Sequence, residues 1–168
     1  MGAPKHVRVG SRQPGVSVLT ALTPPECTTL LAENHVGRIA FADRAHVDIV
    51  PICYVFVDGW LYARADAPMR LAIRRNRWVA VEVAEVSDIR NWKSVVVRGA
   101  CHPVRGTGSI KTDAAAAIGV DLLRASVPVI ATARSSTIRS TTIYRIHADH
   151  VTGLKAASGR DSRLRISR

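Results

Sequence analysis

Nowhere in this 168-residue chain does an apolar run approach the ~20 residues that a membrane helix needs. The first residues also lack the apolar core of a secretion signal, so a cytoplasmic protein is expected. Cysteine is scarce. Cys27, Cys53 and Cys101 are odd in number, far apart and set in apolar segments, which argues against a disulfide framework and for buried, reduced thiols. The six histidines, His6, His35, His46, His102, His147 and His150, join no cysteine or carboxylate at ligand spacing. His147-x-x-His150 comes nearest to a metal pair, but in strand or turn sequence residues three apart face opposite ways, so no metal site is expected. No nucleophile and base stand in a recognisable arrangement, and no catalytic side chain is assigned. The body contains no internal repeat and no low-complexity segment.

Acidic residues are also few, 13 against 24 lysines and arginines, for a net charge of +11. Location decides what that excess means. Lys5, Arg8 and Arg12 stand without an acid in residues 1–17, and Lys155, Arg160, Arg163, Arg165 and Arg168 face only Asp161 in residues 155–168. More than half of the excess therefore sits at the two ends, whose Gly, Ser, Pro and Arg content predicts disordered basic tails at 1–17 and 156–168. A basic tail can hold an anionic partner by counterion release, but a solvated end is the simpler reading. The remaining body, 18–155, has the length for one well-buried core, and 47% hydrophobic residues support it.

What the body does have is a succession of short β-rich runs. They fall at 36–41, 46–57, 60–64, 78–86 and 94–104, rich in β-branched and aromatic residues and separated by Asp, Gly or Pro. A further strand is expected across 141–154. Asp58-Gly59 between Val57 and Trp60 is a strong two-residue hairpin signal and makes the second and third runs antiparallel neighbours. In the second run Val47, Ile49, Pro51, Cys53, Val55 and Val57 alternate with Asp48, Val50, Ile52, Tyr54 and Phe56. Both faces are largely apolar, so burial on both sides is predicted, and Pro51 marks a bulge or an edge.

Three helices accompany these runs, one of them inserted into the meander. Thr23-Pro24-Pro25-Glu26 combines a capping-box spacing with prolines in the first turn, predicting a helix from there to about Asn34. A helical insertion at 68–77 carries Arg70, Arg74, Arg75 and Arg77. The stretch 112–125 reads as the third, weakened in its middle by Gly119. A small barrel beside an arginine cluster suggests a phosphate-bearing ligand.

Taken in order, Val36-Gly37-Arg38-Ile39-Ala40-Phe41, Ile49-Val50-Pro51-Ile52, Asp58-Gly59-Trp60-Leu61-Tyr62, Val79-Ala80-Val81-Glu82-Val83, Trp92-Lys93-Ser94-Val95, Gly99, Tyr144-Arg145-Ile146 and Thr152-Gly153 resemble one family. It is that of the pyridoxamine 5′-phosphate oxidase-like split-barrel flavoproteins, in particular the branch with the nitroimidazole-resistance proteins. The resemblance spans about residues 24–155. It implies a mainly β fold, a six-stranded antiparallel split β-barrel with peripheral helices. It also implies a homodimer with FMN in a groove at the subunit interface, some relatives using deazaflavin F420 instead.

The family's Ser/Thr-x-x-Gly-x-Lys phosphate segment corresponds here to Arg64-Ala65-Asp66-Ala67-Pro68-Met69-Arg70, without the hydroxyl and the glycine. Matching from the preceding strand puts Arg70 at the lysine position; counting back from Asn76 and Val79 puts Met69 there. A guanidinium fork grips a phosphate through two parallel hydrogen bonds and a thioether cannot, which favours Arg70, with Arg64 and Arg74 in reserve. The resemblance implies that Val50, Pro51, Ile52 and Ala65 approach the cofactor, as do Lys93 and Ser94. Trp92 stands beside the ring, or packs.

Three functions follow. The first is an FMN-dependent split-barrel oxidoreductase that passes a hydride between flavin and a small conjugated or nitroaromatic substrate. The second is a carrier that holds flavin, F420 or haem without turnover, or else an F420-dependent reductase. In the third and weakest, the basic tails bind nucleic acid and the barrel is a dimerising scaffold.

Overall fold

The capping box at Thr23 forms as its spacing predicts. In the computed structural model, which describes residues 17–104, 114–126 and 142–158, helix α1 spans Pro24–Glu33. The Thr23 N–H donates to the Glu26 carboxylate at 2.7 Å, and the Glu26 N–H donates to Thr23 Oγ1 at 3.4 Å. Pro24 and Pro25 occupy first-turn positions where no N–H is needed. At the other end two carbonyls left over by the helix find side-chain donors. Asn34 Nδ2 donates to Leu30 O and the Tyr54 hydroxyl to Leu31 O, each at 2.9 Å.

The strands are β1 (Ser17–Ala21), β2 (Val36–Asp43), β3 (His46–Val57), β4 (Trp60–Ala65), β5 (Trp78–Asp88), β6 (Asn91–Pro103), β7 (Thr142–His147) and β8 (His150–Ser158). Helix α2 (Ala67–Arg75) follows β4, and α3 (Ala114–Ser126) precedes β7. They form one sheet in the order β1-β8-β6-β5-β2-β3-β4-β7, and an added β6–β7 pairing closes a ring. All the pairings are antiparallel. The ring is the expected six-stranded split barrel, made of β6, β5, β2, β3, β4 and β7. β8 and β1 extend the sheet beyond it.

The split occurs on β6. Residues 92–98 of β6 pair with β8, whereas Cys101 to Pro103 pair with β7. Gly99 lies at the change of partner, where the β7–β8 turn folds back so closely that a Cβ would stand 2.1 Å from the His147 carbonyl oxygen. The β3–β4 turn is as predicted: Asp58 and Gly59 both have positive φ, 49° and 79°, the conformation of a type I′ hairpin.

Two expectations need correction. Residues 141–154 do not form one strand: Thr142–His147 and His150–Ser158 are separate strands, joined by Ala148-Asp149, a turn without glycine or proline to announce it. β8 also runs through Ala156, Ala157 and Ser158, and Ser17 opens β1, so these residues belong to the sheet and not to tails. The rest of both basic ends lies outside the described residues.

Two apolar clusters hold the structure. Inside the ring, Ile39, Phe41, Ile52, Tyr54, Leu61, Val81, Val83, Val95, Val97 and Ile146 pack with Leu30 and Leu31 of α1 and Met69, Ala72 and Ile73 of α2. The two helices thus plug the barrel. Outside it, Val55 and Tyr62 pack under Ala116, Val120 and Leu123 of α3. Gly119 rests on the Tyr62 ring, where a Cβ would fall 2.3 Å from Cε2. The residue that weakens this helix is the one that lets it approach the sheet.

The predicted two-sided burial of β3 is therefore met only in its second half. Before Pro51, Val47 and Ile49 are 71% and 65% exposed. Pro51 keeps a regular register opposite Arg38, without a bulge. β4 pairs with β3 only over residues 54–57, so Pro51 lies on an edge, where its missing N–H costs no ladder bond. The face that carries Ile52, Tyr54 and Phe56 is the inner one, so the barrel itself covers it. Ile52 and Tyr54 are core residues with Phe56 packed against them, and Tyr54 is 0% exposed.

Candidate functional site

Helix α2 begins at Asp66, whose carboxylate accepts from the Met69 N–H at 3.0 Å. That start sets the faces of the next two turns. Met69, Ala72 and Ile73 point into the barrel, leaving Arg70 half-buried and Arg74 exposed one turn further on. Of the two residues that sequence matching offered for the phosphate position, Met69 packs in the core and Arg70 does not. Arg75, beside Arg74, is engaged by Asp43 Oδ1 at 2.7 Å. Arg64 is half-buried at the end of β4, and Ala65 beside it is buried.

Arg70 and Arg74 both act electrostatically on Tyr144 of β7. Burial raises the phenol pKa of Tyr144, the neighbouring Cys101 adds to the rise, and the two guanidinium groups oppose it. Burial likewise pushes the Cys101 thiol up to about 12. A pocket of about 330 Å³ opens here between the end of α2 and the strand pair β6–β7, lined by Arg74, Arg77, His102 and Tyr144 among others. Its geometry is fixed by the backbone: the Cys101 N–H donates to Arg77 O at 2.8 Å, and Pro103 pairs with Tyr144.

Trp92, Lys93 and Ser94 lie elsewhere. Ser94 pairs with Ala84 and Leu154, and Cys101 lies seven positions further along β6, or about 23 Å of strand. The Ser94 hydroxyl donates to Glu82 Oε1 at 3.0 Å, and Lys93 Nζ meets Glu85 Oε2 at 3.3 Å. Asn34 donates to the other oxygen of Glu85, a bond that with Lys93 keeps this carboxyl below its ordinary pKa. Trp92 is half-buried and lines an apolar concavity of about 500 Å³ with Val86, Ile89, Val96 and Leu154.

Val50, Pro51 and Ile52 lie between the two groups. Pro51 pairs with Arg38, Arg38 with Glu82, and Glu82 takes the Ser94 hydroxyl. Three strand spacings, roughly 14 Å, separate β3 from β6 along this row. Within one chain the candidate residues thus form an arginine-bearing end around α2 and a Trp92–Ser94 end on the outer sheet, not a single cluster.

Tyr144, His102 and Glu82 received no site role from the sequence. Tyr144 stood only as part of a strand match, and its meeting with α2 depends on β6–β7 register, for which no local signal exists. His147 and His150 flank the β7–β8 turn. His147 Nδ1 is held by Asp149 Oδ1 at 2.7 Å, a bond that holds the Asp149 carboxyl below its usual range. The His147 ring meets Trp60 edge-on at 4.6 Å, with Arg145 over the same indole at 4.3 Å.

Comparison with known proteins places this architecture. A curated protein of Rhizobium meliloti (strain 1021), itself uncharacterised, is 33% identical over 75 residues, 44% of this chain and half of its own length. The crystal structure of an FAD-binding protein from Mesorhizobium loti matches with a TM-score of 0.68 at 27% identity, covering 84% of this chain and 99% of that one. A candidate 5-nitroimidazole antibiotic resistance protein of Bacteroides thetaiotaomicron shares the fold, with a TM-score of 0.62 at 12% identity over 84% and 89% of the two chains. The family model described as pyridoxamine 5′-phosphate oxidase matches residues 23–155, the span that carries the closed ring, and the chain belongs to that family.

Proposed function

We propose that this chain is a flavin-binding oxidoreductase whose cofactor phosphate is held by Arg70, with FMN as the smallest flavin that satisfies the site. The observation that carries this reading is the half-buried Arg70, one turn from Arg74 on the solvent side of α2, in a fold whose Mesorhizobium loti relative binds FAD. The residues present fit a flavin phosphate. Two guanidinium groups about one helical turn apart offer parallel donors at low desolvation cost, and charge-assisted bonds of this kind are worth ~1.5–3 kcal/mol. When bound, the isoalloxazine ring supplies two-electron transfer to or from a small conjugated or nitroaromatic substrate. The chain binds and orients: Arg70 anchors one end of the cofactor, and the apolar walls around Trp92 exclude water from the other.

Within one chain the Cys101 side of the α2 pocket lies about 23 Å of strand from Ser94, a long reach for one cofactor. A homodimer removes the difficulty, because a twin supplies Trp92 to Ser94 opposite the first chain's Arg70. It also covers Val47 and Ile49, whose exposure on an open sheet edge is otherwise a liability.

A second reading, a carrier without turnover, is favoured by one departure: Ala65 and Pro68 stand where relatives place a hydroxyl and a glycine. The absorption spectrum of the purified protein tests the first step. Flavin bands are expected; a haem Soret band or no visible band overturns it. Anaerobic bleaching by NAD(P)H, or by reduced F420 where the deazaflavin is the partner, separates the oxidoreductase from the carrier.

A further inference from the structure

Helix α2 leaves one end of β4; at the other end, beside Gly59, a cleft opens between α1 and β8. Its volume is about 630 Å³, larger than the pockets at Tyr144 and Trp92. Leu22, Leu31, Phe56, Val151 and Leu154 wall it, and no lining residue is charged. Burial raises the pKa of the Cys27 thiol, which also lines the cleft, so it stays protonated.

The cleft cannot close by moving α1 onto the sheet. At Gly153 the two already touch: a Cβ there would stand 2.7 Å from Cys27 Sγ and 2.8 Å from Leu22 Cβ. Glu26 of α1 and Lys155 of β8 tie the same elements at 2.6 Å. Apolar walls held apart in water forgo the gain of burial, which a ligand restores. The size and lining are those of small-molecule sites.

A second observation bears on what the occupant offers. Gly59 and Ala148, joined by the Ala148 N–H bond to Gly59 O at 2.9 Å, both line the cleft, and His147 adjoins them. Its ring is fixed from three sides. Nδ1 meets Asp149 Oδ1 at 2.7 Å, Trp60 lies edge-on at 4.6 Å, and a Cβ on Gly59 would stand 4.0 Å from Nε2. The Asp149 carboxyl, held below its usual range, is ionised and can only accept. The neutral imidazole therefore keeps its proton on Nδ1 and offers Nε2 as an acceptor. Nε2 bonds to no described residue.

We propose that this cleft binds a small neutral molecule with an aromatic body and one hydroxyl, a phenol by chemical class, whose O–H donates to His147 Nε2. Leu22, Leu31 and Phe56 take the apolar body, Phe56 as a ring partner. A carboxylate would meet a lone pair on Nε2 and no lining cation. Neither Arg70 nor Trp92 lines the cleft, so this site does not rest on the flavin reading.

The test is equilibrium dialysis of the full chain against 2-naphthol and against naphthalene, with and without excess FMN. Thr28→Trp fills the cleft from an exposed position of α1. His147→Phe keeps a ring against Trp60 and removes the acceptor, and urea midpoints verify that both variants fold. Wild type is expected to bind 2-naphthol about fivefold more tightly than naphthalene, the worth of one hydrogen bond. His147→Phe should abolish that preference, and Thr28→Trp should weaken both probes by about tenfold or more. Equal wild-type affinity for the two probes overturns the proposal, as does a preference that survives in His147→Phe. Unchanged binding in Thr28→Trp places the probe elsewhere and overturns it too. Displacement of 2-naphthol by FMN assigns the probe to the flavin groove, which removes the second site and leaves the flavin reading standing. Should one variant fail to fold, the other decides together with the naphthalene comparison.

Discussion

Replacing Gly99 with alanine tests the point at which the barrel splits. The added Cβ would stand 2.1 Å from the His147 carbonyl oxygen and 3.2 Å from Asp149 Oδ2. A carbon and a carbonyl oxygen sit comfortably at about 3.3 Å, so the β7–β8 turn must retreat by about 1 Å. That retreat loosens the hydrogen bond from the Ala100 backbone to Asp149 and strains the Ala148 N–H bond to Gly59 O, now 2.9 Å. Overpacking of this kind costs ~1–3 kcal/mol. A loss of about that size is expected, which for a chain of this length lowers Tm by about 2–12 °C. Urea unfolding followed by tryptophan fluorescence measures it, with an unchanged slope indicating that the surface exposed on unfolding stays the same. A loss below about 0.5 kcal/mol would refute the close approach of the turn to β6.

Tyr54→Phe, which removes the donor to Leu31 O, should cost about 1 kcal/mol, while Tyr54→Asp should cost more than ~3 kcal/mol by burying a charge; equal urea midpoints for the two would contradict the buried placement. The Glu26 carboxyl is held down to about 2 by the hydrogen bond from Lys155, with Thr23 adding to it. Its folded value lies below the unfolded one, so its contribution is present above pH 4.5 and fades as pH falls towards 2. Glu26→Gln should therefore be less stable than wild type at neutral pH, and the two unfolding curves should converge at the acid end; a constant gap would contradict this. Ile49→Asp should convert a dimer to a monomer in light scattering at low micromolar concentration without moving the urea midpoint of the isolated chain. A wild-type monomer that still holds flavin would sink the dimer.

The parts of the fold that the sequence disclosed are those with local causes. Thr23 and Glu26 carry a capping box in their spacing, and Asp58-Gly59 demands a type I′ turn wherever it stands. The β7–β8 turn was missed because Ala148-Asp149 has no such chemistry; it is held by bonds to Gly59 and Ala100, distant in sequence. Alternation along β3 showed two apolar faces but not which one lies inside. That choice is made by α1, whose Leu31 carbonyl accepts the Tyr54 hydroxyl. Of the candidate site, only residue types were legible: Arg70 and Arg74 on one helical face, Ser94 on a strand. Their separation was not, because the distance between the two groups is set by how far β6 runs before it changes partner at Gly99. The place of Tyr144 beside α2 was hidden for the same reason.

The central claim is that Arg70 holds a flavin phosphate, and the direct measurement is the affinity of the protein for FMN and for riboflavin by fluorescence quenching. A charge-assisted contact worth ~1.5–3 kcal/mol corresponds to an advantage of roughly 10- to 150-fold for FMN. That advantage should collapse in Arg70→Ala and survive in Met69→Ala, whose side chain packs in the core. Equal affinities for FMN and riboflavin in the wild type, or an advantage lost with Met69 and kept without Arg70, would contradict the account.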